Sequence, residues 1–254
     1  FRSPFYYAIS IASQDSPSKQ YGVQALIPGG ALFENVATAF REINFWQALG
    51  GTLFVATITS FSTVLFSTLA GFAFAKLRFR GRNGLLTAVI ATMTIPQQLS
   101  VVPLYLLATK AGLYGSLWAV AIPALVSAFG VFWMTQYLQD ALPYELVEAA
   151  RVDGASMIRT FWSIALPAAR PAAAMLFLFT FIGQWTNYFW PMLILGPNKN
   201  SMLTVASSAL KGAHFTDYTL VMSGVLLTTA PLLVLFVIAG KQLVSGIMAG
   251  AVKG

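Results

Sequence analysis

The sequence has no cysteine and a single histidine, His214. Without thiols there is no disulfide framework, no thiolate metal site and no cysteine nucleophile. One imidazole cannot build a zinc centre, and a Ser–His–Asp arrangement needs a sheltered pocket rather than a polar loop beside Asp217. Charge is also scarce. Only 9% of the 254 residues are Asp, Glu, Lys or Arg, against 57% that are hydrophobic, whereas a soluble domain carries about 25% charged residues. Such a chain cannot coat its core for water, so its outer surface must face lipid. Nothing matches G-x-x-x-x-G-K-[ST]: Gly240-Lys241 is followed by Gln242, so the phosphate cradle of an ATPase is missing. Acids are absent from the middle of the apolar stretches. Asp15, Glu34, Glu42, Asp140 and Asp217 all fall at their edges, which argues against a proton-coupled carrier with a carboxylate relay.

What is present is organised by that scarcity. Five stretches carry no charge: Ile43–Ala75, Asn83–Thr109, Ala111–Gln139, Pro171–Asn198 and Tyr218–Gly240, from 23 to 33 residues long. A spanning helix needs about 20 apolar residues. The predicted spans are 47–75, 84–108, 115–139, 171–195 and 218–241. Phe1–Ser13 is apolar and aromatic but too short to span, and is expected to be the outer end of a first span, 1–13, truncated here. The expectation is one transmembrane domain over 1–254, all-α, with six spans in the intact chain.

Lys76–Arg82 (KLRFRGR) places four cations in seven residues between two spans, which marks a cytoplasmic loop. With the topology alternating from there, nine Lys or Arg fall inside and five (Lys19, Arg41, Lys110, Lys199, Lys211) outside. The net charge of +7 is then positive-inside bias rather than a nucleic-acid surface. Both termini of the intact chain are expected in the cytoplasm. Outside, Gln14–Glu42 carries Pro17, Pro28, Gly29 and Gly30 as turn residues, with a short surface helix over Ala31–Arg41.

Prolines recur within the spans: Pro96, Pro103, Pro123, Pro191 and Pro231. Each is ordinary membrane-helix irregularity or a break lining a pathway. Pro96 favours a break, because the amides of Gln97 and Gln98 follow it at membrane depth and need partners there.

The loop 140–170 differs from the rest. Its core, Pro143–Pro167, reads PYELVEAARVDGASMIRTFWSIALP. Pro143 suits a first helical position, and Glu145 and Glu148 favour the positive end of a helix dipole. Leu146, Ala149, Ala150 and Asp153 share one helical face, narrow at the alanines. Gly154 can stop the helix in a left-handed conformation. Ile158, Phe161, Trp162 and Ala165 give a second helix an apolar face, and Pro167 and Pro171 mark the entry into the next span. Such a pair can lie on the lipid surface or dock on a cytoplasmic partner.

The spacing Glu148-Ala149-Ala150, three residues, Gly154, nine residues, Ile164, one residue, Leu166-Pro167 resembles the EAA loop of ABC importer permeases. Two further segments resemble the maltose-type carbohydrate subfamily: the tail Ser245–Gly254 (SGIMAGAVKG), and Trp185–Pro191 (WTNYFWP), where Thr186-Asn187 stands for a usual Asn-Asp pair. The resemblance covers Phe5 to Gly254. It implies a type I, six-span ABC importer permease of the bacterial inner membrane with a cytoplasmic EAA coupling helix. It further implies that Glu148, Ala149, Ala150 and Gly154 contact an ATPase, with Arg151 and Asp153 flanking and Leu166 and Pro167 closing the motif. Gly250, Lys253 and Gly254 would make a C-terminal ATPase contact. The implied partners are a homologous second permease, two ATP-binding subunits and an extracytoplasmic solute-binding protein. ATP and Mg would belong to those partners, with no cofactor on this chain.

A sugar cargo offers hydroxyls and flat apolar faces, which amides and aromatic rings meet. Gln97, Gln98, Gln184, Trp185, Asn187 and Tyr188 are the candidate pathway residues, with Gln184 and Asn187 three apart on one helical face. Trp190 also fits an interfacial aromatic belt. Glycerol phosphate, a glycerophosphodiester or a polyol would use the same machinery. The spans show no cation for an anionic cargo, which favours a neutral solute. A stand-alone channel or secondary carrier is the reading from another class.

Overall fold

The computed structural model describes residues 4–15, 27–196, 201–211 and 217–251, with only the backbone path for 239–251. Arg2, Pro17, Lys19, Lys199, His214, Lys253 and Gly254 lie outside the described residues. Among the described residues every regular element is helical. The helices are α1 Pro4–Ala12, α2 Leu32–Glu42, α3 Phe45–Lys76, α4 Arg82–Thr92, α5 Val101–Lys110, α6 Leu117–Ala121, α7 Ala128–Ala141, α8 Tyr144–Val152, α9 Met157–Thr160, α10 Leu166–Trp185, α11 Phe189–Leu195, α12 Leu203–Ser208 and α13 Tyr218–Ala251.

Among the described residues three helical segments are long and apolar enough to cross a membrane: Phe45–Lys76, Met157–Trp185 and Tyr218–Ile238. Two bent pairs raise the number to five if each counts as one span. The stretch expected as one span over 84–108 is broken. α4 ends at Thr92, Pro96 sits extended (φ −58°, ψ 127°), a 3-10 turn covers Gln97–Ser100, and α5 leaves at 88°. Proline disfavours a helical residue before it and brings no N–H. A gentler 40° bend separates α6 and the turn Ile122–Ala124 from α7. Its freed carbonyls find hydroxyls on α3: Ser62 Oγ donates to Leu125 O (2.9 Å) and Thr63 Oγ1 to Ala124 O (3.1 Å). In lipid no water would do this, so the bend requires such partners.

The span expected over 171–195 also differs. The helix begins at Met157, passes Pro167 and Pro171 without a break, and ends at Trp185. A π turn over Phe161–Ala165 lies inside it. Proline at 167 cannot donate to Ser163 O and would press its ring on that carbonyl; the wider π turn just ahead relieves both, as π-bulges do.

The chain divides into two compact units. The first comprises Phe1–Val55, Gly112–Val120 and Trp185–Gly240. There Thr52 Oγ1 donates to Ala48 O and accepts from Leu203 N, both at 2.9 Å. α12 is seated by this bond, with Leu203, Val205 and Ala206 buried. The second comprises Ala56–Ala111, Ala121–Gln184 and Lys241–Gly254. Its core gathers Phe72 of α3, Met134 and Leu138 of α7, and Ala165, Ala169 and Leu176. Lys76 closes it at one end, its Nζ donating to Gln139 O at 2.9 Å, a cation at a helix C-terminus.

Within this unit α3 and α7 meet backbone to backbone at Gly71. A Cβ added there would lie 2.7 Å from Met134 Cβ, 2.8 Å from its carbonyl carbon and 2.9 Å from Thr135 N. Gly50, on the same helix, has nothing within 4 Å. Replacing glycine by alanine in a helix ordinarily stabilises by about 1 kcal/mol. Gly50→Ala should therefore raise or hold the melting temperature of the purified protein. Gly71→Ala should lower it, since overpacking costs about 1–3 kcal/mol. Equal shifts for the two variants would remove the close contact from the account.

Candidate coupling site

α8 begins after Pro143, which takes the N-cap position rather than the first helical one, with Glu145 in the first turn. The helix turns two faces to different surroundings. Val147 and Ala150 are buried, and Val147 joins the core of the second unit together with Leu142 and Phe161. Burying a side chain such as valine or leucine is worth about 1.5–3 kcal/mol, so these residues fasten the loop to the spans. Glu145, Leu146, Glu148, Ala149, Arg151, Val152 and Asp153 lie outside, Val152 at 87% exposure. The face expected to unite Leu146, Ala149, Ala150 and Asp153 is thus split, because Ala150 turns inward with Val147. The i, i+3 pair Val147–Ala150, following Leu142, is the sequence signal for that inner face.

Gly154 has φ +76° and ends α8 in the left-handed region. Ala155 N donates to Ala150 O at 2.9 Å and Gly154 N to Arg151 O at 3.0 Å, the paired bonds of a Schellman motif. The next helix starts at once. Ser156 caps it, accepting from Arg159 N at 3.3 Å. The two helices are set by complementary caps within a few residues.

The second helix also departs from expectation. Phe161 and Ala165 are buried, but Ile158 is 73% and Trp162 54% exposed. The π turn adds a residue to the turn and shifts the phase between Ile158 and the core-facing positions. Phe161 packs on Phe72 (6.1 Å between ring centroids) and on Trp162 (5.2 Å). Leu166 is half-buried, Pro167 exposed.

The candidate pathway residues fall in different settings. Gln97 and Gln98 are exposed on the 3-10 turn of the second unit, which also contains the half-buried Gln184. Trp185 is buried in the first unit, its indole Nε1 donating to Thr228 O at 3.0 Å. Gln184 and Asn187 do not share a helical face, because α10 ends at Trp185 and Asn187 lies in the break before α11. Asn187 O accepts from Thr204 Oγ1 at 2.8 Å, and Tyr188 is 40% exposed. Trp190 Nε1 donates to Ala119 O at 3.1 Å. Gly250 lies on the backbone of α13.

α8 thus presents an exposed apolar and acidic face and is anchored from behind in the core of the second unit. Residues 64–248 match the family described as binding-protein-dependent transport system inner membrane component. The lactose transport system permease protein LacG of Rhizobium radiobacter is 34% identical over 225 residues, 89% of this chain and 82% of that protein. The sn-glycerol-3-phosphate transport system permease protein UgpE of Escherichia coli O157:H7 is 29% identical over 253 residues, 96% of this chain and 90% of that one. In fold, the chain is similar to one in the crystal structure of a bacterial ABC transporter involved in the import of the acidic polysaccharide alginate. The TM-score is 0.78 and the identity 23%, over 94% of this chain and 89% of the other. Long apolar helices, an EAA-type loop anchored in their core and a family match over most of the chain converge on one identity: this is a multi-pass ABC transporter permease, and it belongs to the family of binding-protein-dependent transport system inner membrane components.

Proposed function

We propose that this chain is the permease subunit of a carbohydrate importer in the bacterial inner membrane, coupled through α8 to ATP hydrolysis by a separate subunit. The observation that carries the reading is the two-sided α8. Val147 and Ala150 tie it to the spans, while Glu148, Ala149, Val152 and Asp153 face outward, with Gly154 fixing its end. A push on the outer face reaches the spans through a close-packed core, which transmits strain. The ATP-binding subunits, two in number, would carry ATP and Mg and take the loop 140–170 on the cytoplasmic side, together with Gly250, Lys253 and Gly254 of the tail. A homologous second permease would complete the pathway, and a solute-binding protein would deliver cargo from outside. Both termini of the intact chain would be cytoplasmic.

The likeness to LacG and the absence of Asp, Glu, Lys and Arg from the five apolar stretches support a neutral saccharide. The likeness to UgpE supports a second cargo, glycerol phosphate or its diesters. The test is ATP hydrolysis by the whole complex in liposomes, with its binding protein and a panel of mono-, di- and oligosaccharides beside glycerophosphodiesters. Stimulation by one saccharide class is the expected result. Stimulation by phosphodiesters alone would keep the machine and replace the cargo. A purified chain with no co-purifying ATP-binding subunit would remove the coupling role.

A further inference from the structure

The connection between α3 and α4 has a feature that the coupling role does not use. A shallow cavity of about 480 Å³ is lined by Arg78, Phe79, Gly81, Arg82, Asn83 and Gly84. Both cations are held from behind. The Arg78 guanidinium lies 5.2 Å from the ring centroid of Tyr144. Arg82 donates through Nη1 to Leu77 O and through Nε to Asn83 Oδ1, both at 3.4 Å. Among the described residues no carboxylate pairs with Arg78, Arg80 or Arg82; their polar contacts are to neutral groups. Phe79, between the cations, is 42% exposed.

The place of this cavity selects its occupant. α3 is a membrane-spanning helix, and α4 opens a bent pair that meets the same length and composition test. Only residues 77–81 separate them, so the connection sits at the depth of lipid headgroups. Two guanidiniums without carboxylate partners suit a phosphate diester, which they bind through paired N–H groups. An exposed phenylalanine beside them suits the start of an acyl chain. A zwitterionic headgroup brings an ammonium that these arginines repel; an anionic headgroup such as phosphatidylglycerol does not. We propose that the Arg78–Arg82 cavity is a binding site for the phosphate of an anionic phospholipid. The proposal rests on the cavity's own residues and on the membrane location, and is independent of the cargo.

The test is native mass spectrometry of the detergent-purified complex, offered equal phosphatidylglycerol and phosphatidylcholine, with lipid retention read on this chain. The wild type should retain phosphatidylglycerol preferentially. A hydrogen bond to a charged group is worth about tenfold or more in affinity. Arg78→Gln and Arg82→Gln should each lose at least about tenfold, and the double variant about 100-fold. Arg80→Gln, outside the cavity, should change retention little. Excess inorganic phosphate should not displace the lipid. No preference in the wild type would overturn the proposal without recourse to any variant. Equal losses for Arg80→Gln and Arg78→Gln would overturn it in favour of diffuse charge. Displacement by inorganic phosphate would overturn the lipid as occupant, as would displacement by an acidic peptide, which would assign the cations to a protein partner.

Discussion

Gly154→Trp should abolish uptake and cargo-stimulated ATP hydrolysis while the chain still inserts and folds. The reason lies in the backbone. Gly154 is held at φ +76° by the two bonds that end α8, a conformation costing an L-residue roughly 1–2 kcal/mol. That cost alone does not unfold a domain of ordinary stability. No atom lies within 4 Å of a Cβ built on Gly154, so the chain itself does not resist bulk there. Any larger loss comes from what docks outside. Gly154→Asn separates the two causes, since asparagine tolerates the left-handed region and adds little volume. It should keep most of the coupling, Gly154→Ala less, and Gly154→Trp none. Uptake at the wild-type rate by Gly154→Trp would detach α8 from coupling altogether.

Trp185→Ala should cost about 3–5 kcal/mol of stability, the range for emptying a large aromatic from a packed interior. The ring is 2% exposed, and its N–H reaches Thr228 O. That carbonyl lies one residue from Leu227, whose own carbonyl loses its helical donor at Pro231. Trp185→Phe keeps most of the volume and should lose about 0.5–1.5 kcal/mol with that one hydrogen bond, since Thr228 O lies within a continuous helix. Tyr188→Ala, three residues on and exposed, should stay within about 0.5 kcal/mol. Heat denaturation followed by tryptophan fluorescence, beside transport of a saccharide panel, distinguishes the roles. If Trp185→Ala melts like the wild type and changes which sugar is carried, the ring lines the pathway and is not a packing residue.

The helical membrane class was legible because lipid imposes a crude filter, long stretches without charge, and the sequence satisfies it without ambiguity. The left-handed stop at Gly154 was legible because only a small residue is easily tolerated there. The breaks were less so. Pro96 stops a helix, whereas Pro167 and Pro171 ride within one. The difference is made by the π turn over Phe161–Ala165 and by core residues from other helices, which no local pattern encodes. The split face of α8 escaped for a related reason. Leu146 and Val147 are equally apolar, and only the position of Phe161 and Leu142 decides which turns inward. Trp185 was assigned by residue type alone, and its acceptor, Thr228, is distant in sequence.

The unbroken helix from Met157 to Trp185 has one more consequence. A helix advances about 100° of azimuth per residue, so it behaves as a screw whose thread count fixes the bearing of one end against the other. The end at Met157 and the end at Trp185 are phase-locked by the number of residues between them, and the π turn is the one place where that count departs from the regular pitch. Side chains along this segment, among them Ala165, Ala169 and Leu176, answer to their local packing. A single inserted or deleted residue, however, would turn one end of the helix by about 100° against the other. Length, beside the packing of its side chains, is a quantity that this stretch of sequence has to keep.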